Sequence, residues 1–225
     1  MRTAEVALPL HERPFDDLLD EAVRFHGDVC PGQVLGVRMA RAGCREVGID
    51  DPRNAGKSLI VFVEVDRCAV DAIQTLTRVS LGKRTLKFLD YGKAAATFVN
   101  AATGRAVRVA AREAARAVAA RLMPAERDAR RAMIAAYRVM DEDALLDIAP
   151  VTIAPGWLDR PRVRVPCARC GEGVNYRREV VVDGRALCQA CACPAYYAYD
   201  HGHNAATSRA SMMAANGDHD GVRRA

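Results

Sequence analysis

The chain has 225 residues, half of them apolar, with 33 basic and 28 acidic side chains and a formal net charge of +5. That apolar fraction supports a packed core and excludes wholesale disorder, and the mild basicity is far from the dense one-sided charge that demands nucleic acid. No stretch reaches the roughly 18 apolar residues of a membrane helix, and MRTAEVALPLHERPF at the start holds no secretory-type apolar run, so a cytoplasmic protein is expected.

Residues 14–26, PFDDLLDEAVRFH, repeat apolar side chains at helical spacing, and Pro14 suits a first helical position. Gly27 breaks the pattern, and a second helix is predicted over 31–43. Turn chemistry fills 48–56. KSLIVFVEV (57–65) reads as a strand buried on both faces, after which Asp66 is placed to cap a helix over 67–77. TLKFL, AATFVN and AVRVA then read as strands, with Thr103–Gly104 marking a hairpin turn. Helices are predicted over 110–122 and 125–141, separated by Pro124. This order implies an α+β core over residues 1–155, with a mixed or antiparallel sheet flanked by helices. A linker over 150–160 leads to a cysteine-rich unit at 161–199. Residues 200–225 lack periodicity and are expected to be a disordered tail.

Eight cysteines carry most of the chemical signal, and five of them fall within residues 167–193. In a reducing compartment such clusters point to metal ligands rather than disulfides. Cys167-x2-Cys170 and Cys188-x2-Cys191, 17 residues apart, offer four thiolates in two close pairs, the pattern of a structural tetrahedral zinc site. YRREVVVDGRAL (176–187) between the pairs reads as a hairpin with Asp183–Gly184 at its tip. So small a unit needs the metal for its folding energy. A closed four-cysteine site leaves no coordination position for chemistry.

FHGDVCPG (25–32) is a second constellation. Cys30 directly precedes a helix start at Pro31, where the dipole and free N–H groups favour a thiolate. His26 and Asp28 lie close by on the Gly27 turn. Together the three form either a ligand set for a metal or a nucleophile with its base; packing of His26 and Cys30 is the alternative. DRCAVDAIQ repeats the device, with Cys68 in the first turn of a helix and Asp71 on the same face. Cys30, His26, Cys68 and Asp71 are therefore the candidate residues of a core cleft. Lys83 and Lys93, each after a glycine, are weaker candidates for holding an anionic group.

FHGDVCPGQVLGVRMA, RCAVDAIQTLT, SLGKRTLKFLDYGKAAATF and the terminal C-x2-CG…C-x2-C, in this order, resemble the FmdE family, the E subunits of formylmethanofuran dehydrogenase, over residues 15–192. The resemblance implies a dimerising α+β core followed by a treble-clef zinc finger. It also implies a cleft, suspected of binding a metal or substrate, at His26, Cys30, Cys68 and Asp71, with Gln74, Lys83, Asp90 and Lys93 nearby. Two positions depart from the family pattern: Asp28 stands where members carry a second His, and Val79 where they often carry a Cys. The implied function is a metal-binding accessory to molybdenum- or tungsten-linked one-carbon metabolism. Zinc would sit in the finger and a second metal ion in the core, and a molybdenum or tungsten enzyme or its maturation machinery would be the partner. Two other readings stay open. One is a nucleic-acid binder using the arginines of the finger, among them Arg160, Arg169 and Arg178. The other is an interaction module presenting Tyr196, Tyr197 and Tyr199. His201-Gly-His203 in the tail is expected to be solvated.

Overall fold

The computed structural model describes residues 8–159 and 161–198. Arg160, Tyr199, the His201-Gly-His203 motif and the tail expected to be disordered lie outside the described residues. The chain divides at Pro155/Gly156 into two compact units. Among the described residues no helix is long and apolar enough to cross a membrane.

The first helix, α1 (Phe15–His26), carries Asp16 and Asp17 in its first turn and Arg24 and His26 in its last, each sign at the dipole end it stabilises. Leu18, Leu19 and Ala22 are its buried stripe, and Gly27 (φ 104°) ends it by returning its N–H to the Val23 carbonyl at 2.7 Å. Helix α2 (Pro31–Glu46) runs three residues beyond the predicted end. A Cβ at Gly43 would collide with the Phe98 ring, so this glycine serves close packing and the helix continues past it.

β1 (Leu59–Val63) is buried at all five positions. Helix α3 (Ala69–Thr77) starts later than the sequence suggests: Cys68, not Asp66, is the residue before it. The sheet explains the delay. The Glu64 N–H still donates to Ala95, and the Glu64 carbonyl accepts from Tyr91 and Lys93, so the chain leaves the sheet only after Glu64.

β2 (Leu86–Phe88), β3 (Ala95–Asn100), β4 (Ala106–Ala111) and β5 (Leu146–Pro150) complete a five-stranded sheet in the order β2-β1-β3-β4-β5. β1 and β2 are parallel and the other pairs antiparallel, so the sheet is mixed. β4 extends through Ala111, which pairs with Leu146, and this moves α4 (Ala115–Leu122) past the predicted start at 110. α5 (Ala129–Val139) begins where the Asp128 carboxylate accepts the Arg131 N–H at 3.0 Å. The short α6 (Glu142–Leu145) leads directly into β5.

Alternate residues of the strands, Leu59, Val61 and Val63 of β1, Phe98 of β3 and Val107 and Val109 of β4, form one core with Leu18, Val34, Met39, Ile73 and Leu76 of the helices. The result is an α+β layer in which the N-terminal ends of α2 and α3 meet.

The second unit pairs β6 (Arg164–Pro166) with β7 (Gly173–Asn175), and β8 (Val180–Val182) with β9 (Arg185–Leu187). Asp183 and Gly184 turn the second hairpin with positive φ of 49° and 74°. A single helical turn, α7 (Gln189–Ala192), follows. Knuckle, hairpin and helix come in the order of a treble clef.

Candidate metal centres

Cys30 and Cys68 occupy equivalent places in two helices. Cys30, with extended backbone (φ −141°, ψ 164°), immediately precedes α2, and Cys68 immediately precedes α3. Both thiols therefore stand at the positive ends of helix dipoles. The two helix starts meet because α2 turns glycines toward α3. A Cβ on Gly32 would lie 2.8 Å from the Cys68 Cβ, and one on Gly36 would lie 2.8 Å from the Ala72 Cβ. Larger residues would push the helices apart.

The last turn of α1 adds His26. One ring nitrogen of His26 and the Sγ atoms of Cys30 and Cys68 all lie within 4.8 Å of one another. His26 Nδ1 is 2.7 Å from Asp71 Oδ2, and Nε2 is 3.9 Å from Cys30 Sγ. A proton on Nδ1, donated to Asp71, leaves the Nε2 lone pair directed at the thiols. This is how a carboxylate orients a metal-binding imidazole. The 3.9 Å between His26 Nε2 and Cys30 Sγ is a few tenths of an ångström above the roughly 3.5 Å between nitrogen and sulfur ligands on tetrahedral zinc. Burial first, and then the hydrogen bond with Cys30, hold the Cys68 thiol above its ordinary pKa. A coordinated metal ion overrides such a shift by deprotonating the thiol outright.

Asp28 does not belong to the converging group. Its Oδ1 is 3.7 Å from His26 Nε2, but its other oxygen pairs with Arg130, which also donates to the Val29 carbonyl at 3.1 Å. Lys83 and Lys93 are both exposed.

Gln33 was not legible as a site residue. It is fully buried one turn after Cys30, its Nε2 donates to the Cys68 carbonyl at 2.5 Å, and its Oε1 has no partner among the described residues. The amide ties the start of α3 to α2. Its only sequence signal is the i+3 spacing from Cys30, and Gly32-x3-Gly36 is the corresponding signal for the helix approach.

In the second unit the four Sγ atoms of Cys167, Cys170, Cys188 and Cys191 lie within 4.8 Å of one another. Cys170 Sγ and Cys188 Sγ are 3.9 Å apart, close to the roughly 3.8 Å between two thiolates on tetrahedral zinc. Burial acts to raise the Cys167 thiol, but backbone N–H groups of Cys170, Cys188 and Arg169 outweigh it and bring the pKa down to about 6. Together the two pairs form a closed set of four sulfur ligands. Cys193 is exposed and stands outside it.

Residues 25–147 match the family model described as FmdE, molybdenum formylmethanofuran dehydrogenase operon. A protein of Archaeoglobus fulgidus described as "Probable S-adenosyl-L-methionine-binding protein" is 37% identical over 94 residues, which are 41% of this chain and 26% of that protein. The chain thus matches only about a quarter of that relative's length. A crystal structure of a tungsten formylmethanofuran dehydrogenase FmdE-like protein from Syntrophus aciditrophicus shares the fold, with a TM-score of 0.57. That match is 20% identical and covers 86% of this chain and all of the other.

Proposed function

This chain belongs to the FmdE family, and from that premise we propose that it is a metal-binding protein with a working metal site in its core and a structural zinc in its finger. The observation that carries the reading is the convergence of His26, Cys30 and Cys68 with Asp71 on the far nitrogen of the imidazole. Three protein ligands leave a fourth position open, as working zinc sites do, whereas the four-cysteine set is closed. A divalent ion held there would supply Lewis acidity to whatever occupies the open position. The chain's own residues do the rest. Cys30 and Cys68 would hold the ion at two helix starts, His26 would complete the set, and Asp71 would fix the imidazole. Gln33 would keep α3 in register with α2.

The setting proposed is cytoplasmic, as a homodimer, accessory to molybdenum- or tungsten-linked one-carbon metabolism. A molybdenum or tungsten enzyme, or the machinery that matures it, would be the partner.

Elemental analysis of the purified full chain tests the metal reading. Two metal equivalents per chain are expected. His26→Ala/Cys30→Ser should lose one and keep the other, with the thermal midpoint of the core little changed. One equivalent in both proteins would overturn the core site.

A further inference from the structure

A cleft of about 340 Å³ lies between α1 and α3, lined by Glu21 and Phe25 of α1, Gln74 and Thr75 of α3, and Arg78, Val79 and Ser80 just beyond α3. Its volume is at the small end for ligand pockets, the size for a compact metabolite rather than a nucleotide. Its lining holds one buried polar atom without a partner, the Thr75 hydroxyl, with the half-buried Gln74 and the exposed Arg78 beside it. Buried polar atoms are ordinarily paired, so the orphaned hydroxyl calls for an explanation.

Arg78 carries a second anomaly. It ends α3 in the left-handed region, φ 59° and ψ 14°, a place where glycine is the favoured residue. An arginine there bears a conformational cost that glycine would avoid, and such costs gather at ligand sites. The Glu21 carboxylate does not neutralise the cleft, because it is already paired with Arg13 at 3.4 Å and with Arg53. Arg78 is then the lining charge with no ion pair among the described residues.

The cleft also adjoins the core cluster. Phe25 is the neighbour of His26, and Gln74 lies one helical turn after Asp71. From Asp71 to Arg78 is about 10 Å along the helix at 1.5 Å per residue.

We propose that this cleft binds the carboxylate of a small, extended organic acid through Arg78, Thr75 and Gln74, with the rest of the molecule directed along the α1–α3 groove toward His26, Cys30 and Cys68. The site deepens the metal-binding reading and rests on it for its purpose, though not for its affinity. The guanidinium meets the carboxylate with a charge-assisted pair of hydrogen bonds, and the threonine hydroxyl gains its missing acceptor.

Calorimetric titration of the full chain with acetate, glutarate and inorganic phosphate tests the site in wild type, Arg78→Gly and Thr75→Val. Glutarate is expected to bind saturably and more tightly than acetate or phosphate. Arg78→Gly should weaken it by about tenfold or more, the loss typical of a charged hydrogen-bond partner, while leaving the thermal midpoint equal or higher because glycine suits the backbone there. Thr75→Val should weaken it by a smaller factor. Unaltered affinity in Arg78→Gly, or no saturable carboxylate binding in wild type, would overturn the proposal, and a preference for phosphate would overturn the carboxylate assignment. Arg78-dependent glutarate binding in a chain with only one metal equivalent would uphold this site while sinking the core metal reading.

Discussion

In the second unit four thiols converge where the only buried cluster among the described residues is Cys167, Leu187 and Cys191. In the first unit His26, Cys30 and Cys68 converge at the edge of a core that also holds Leu18, Val34, Met39, Ile73, Phe98 and Leu146. Both groups place cysteines ahead of helices, at Cys188 before α7 and at Cys30 and Cys68 before α2 and α3. What differs is the source of folding energy. A unit without an apolar core depends on its metal to fold, whereas one with a core can hold ligands apart and leave a position open. On the proposed reading, the same residue types serve stability in one place and binding in the other.

The largest expected effect breaks the comparison if it fails. Removing the finger metal with a strong chelator, or substituting Cys188→Ser, should abolish amide protection over β6 to α7 while that over β1 and β3 stays. Structural zinc supplies about 10–16 kcal/mol in finger peptides, more than three small buried residues can replace. Hydrogen exchange read by segment gives the answer directly. Persistent protection in the metal-free finger would mean that packing, not metal, folds it.

A smaller effect sharpens the other side. Asp71→Asn keeps the shape of the side chain and removes the charge that orients His26. Outer partners of this kind are worth roughly 10–100-fold in metal affinity. Competition against a chromophoric chelator should show that loss for the core site, with the finger's affinity unchanged. Equal core affinity in Asp71→Asn would reduce the 2.7 Å contact to an ordinary surface ion pair.

How much of this was legible in the sequence follows from how local each feature is. α1, β1 and the Asp183–Gly184 hairpin announce themselves through periodicity and turn chemistry, which act within a few residues. β5 is invisible at that range: LDIAP is short, partly exposed and ends in proline, and it is a strand because β4 offers it a partner. β6 and β7, three residues each, depend likewise on pairing. Cys30 before Pro31 is legible as a helix-start thiol. That it meets Cys68 depends on Gly32 and Gly36 allowing two helices to touch, a tertiary fact. The pairing of Asp28 with Arg130, 102 residues away, is a tertiary contact that local sequence does not show; it engages the carboxylate oxygen other than the one 3.7 Å from His26.

The smallest effect lies away from both thiol groups and separates the acid response of the first unit's fold from that of its metal. Arg45 holds the Glu142 carboxylate by two hydrogen bonds, at 2.7 and 3.2 Å, and these set the Glu142 pKa below the ordinary 4.5. A carboxylate whose folded pKa is depressed adds stability that is fully present above its unfolded value and is lost as pH falls through the folded one. The two side chains are a little over a third exposed to water, 38% and 35%, so screening keeps the contribution small, about 0.2–1 kcal/mol. Glu142→Gln should therefore lower the thermal midpoint slightly at pH 7, with the difference from wild type closing as pH falls through the depressed folded pKa of Glu142. The finger behaves differently on the same descent, because protonating its thiolates releases the metal on which it depends. If the Glu142→Gln difference instead stayed the same from pH 7 through that acid range, the Arg45 contact would act through shape rather than charge. The acid sensitivity of the first unit would then have to come from its own metal ligands.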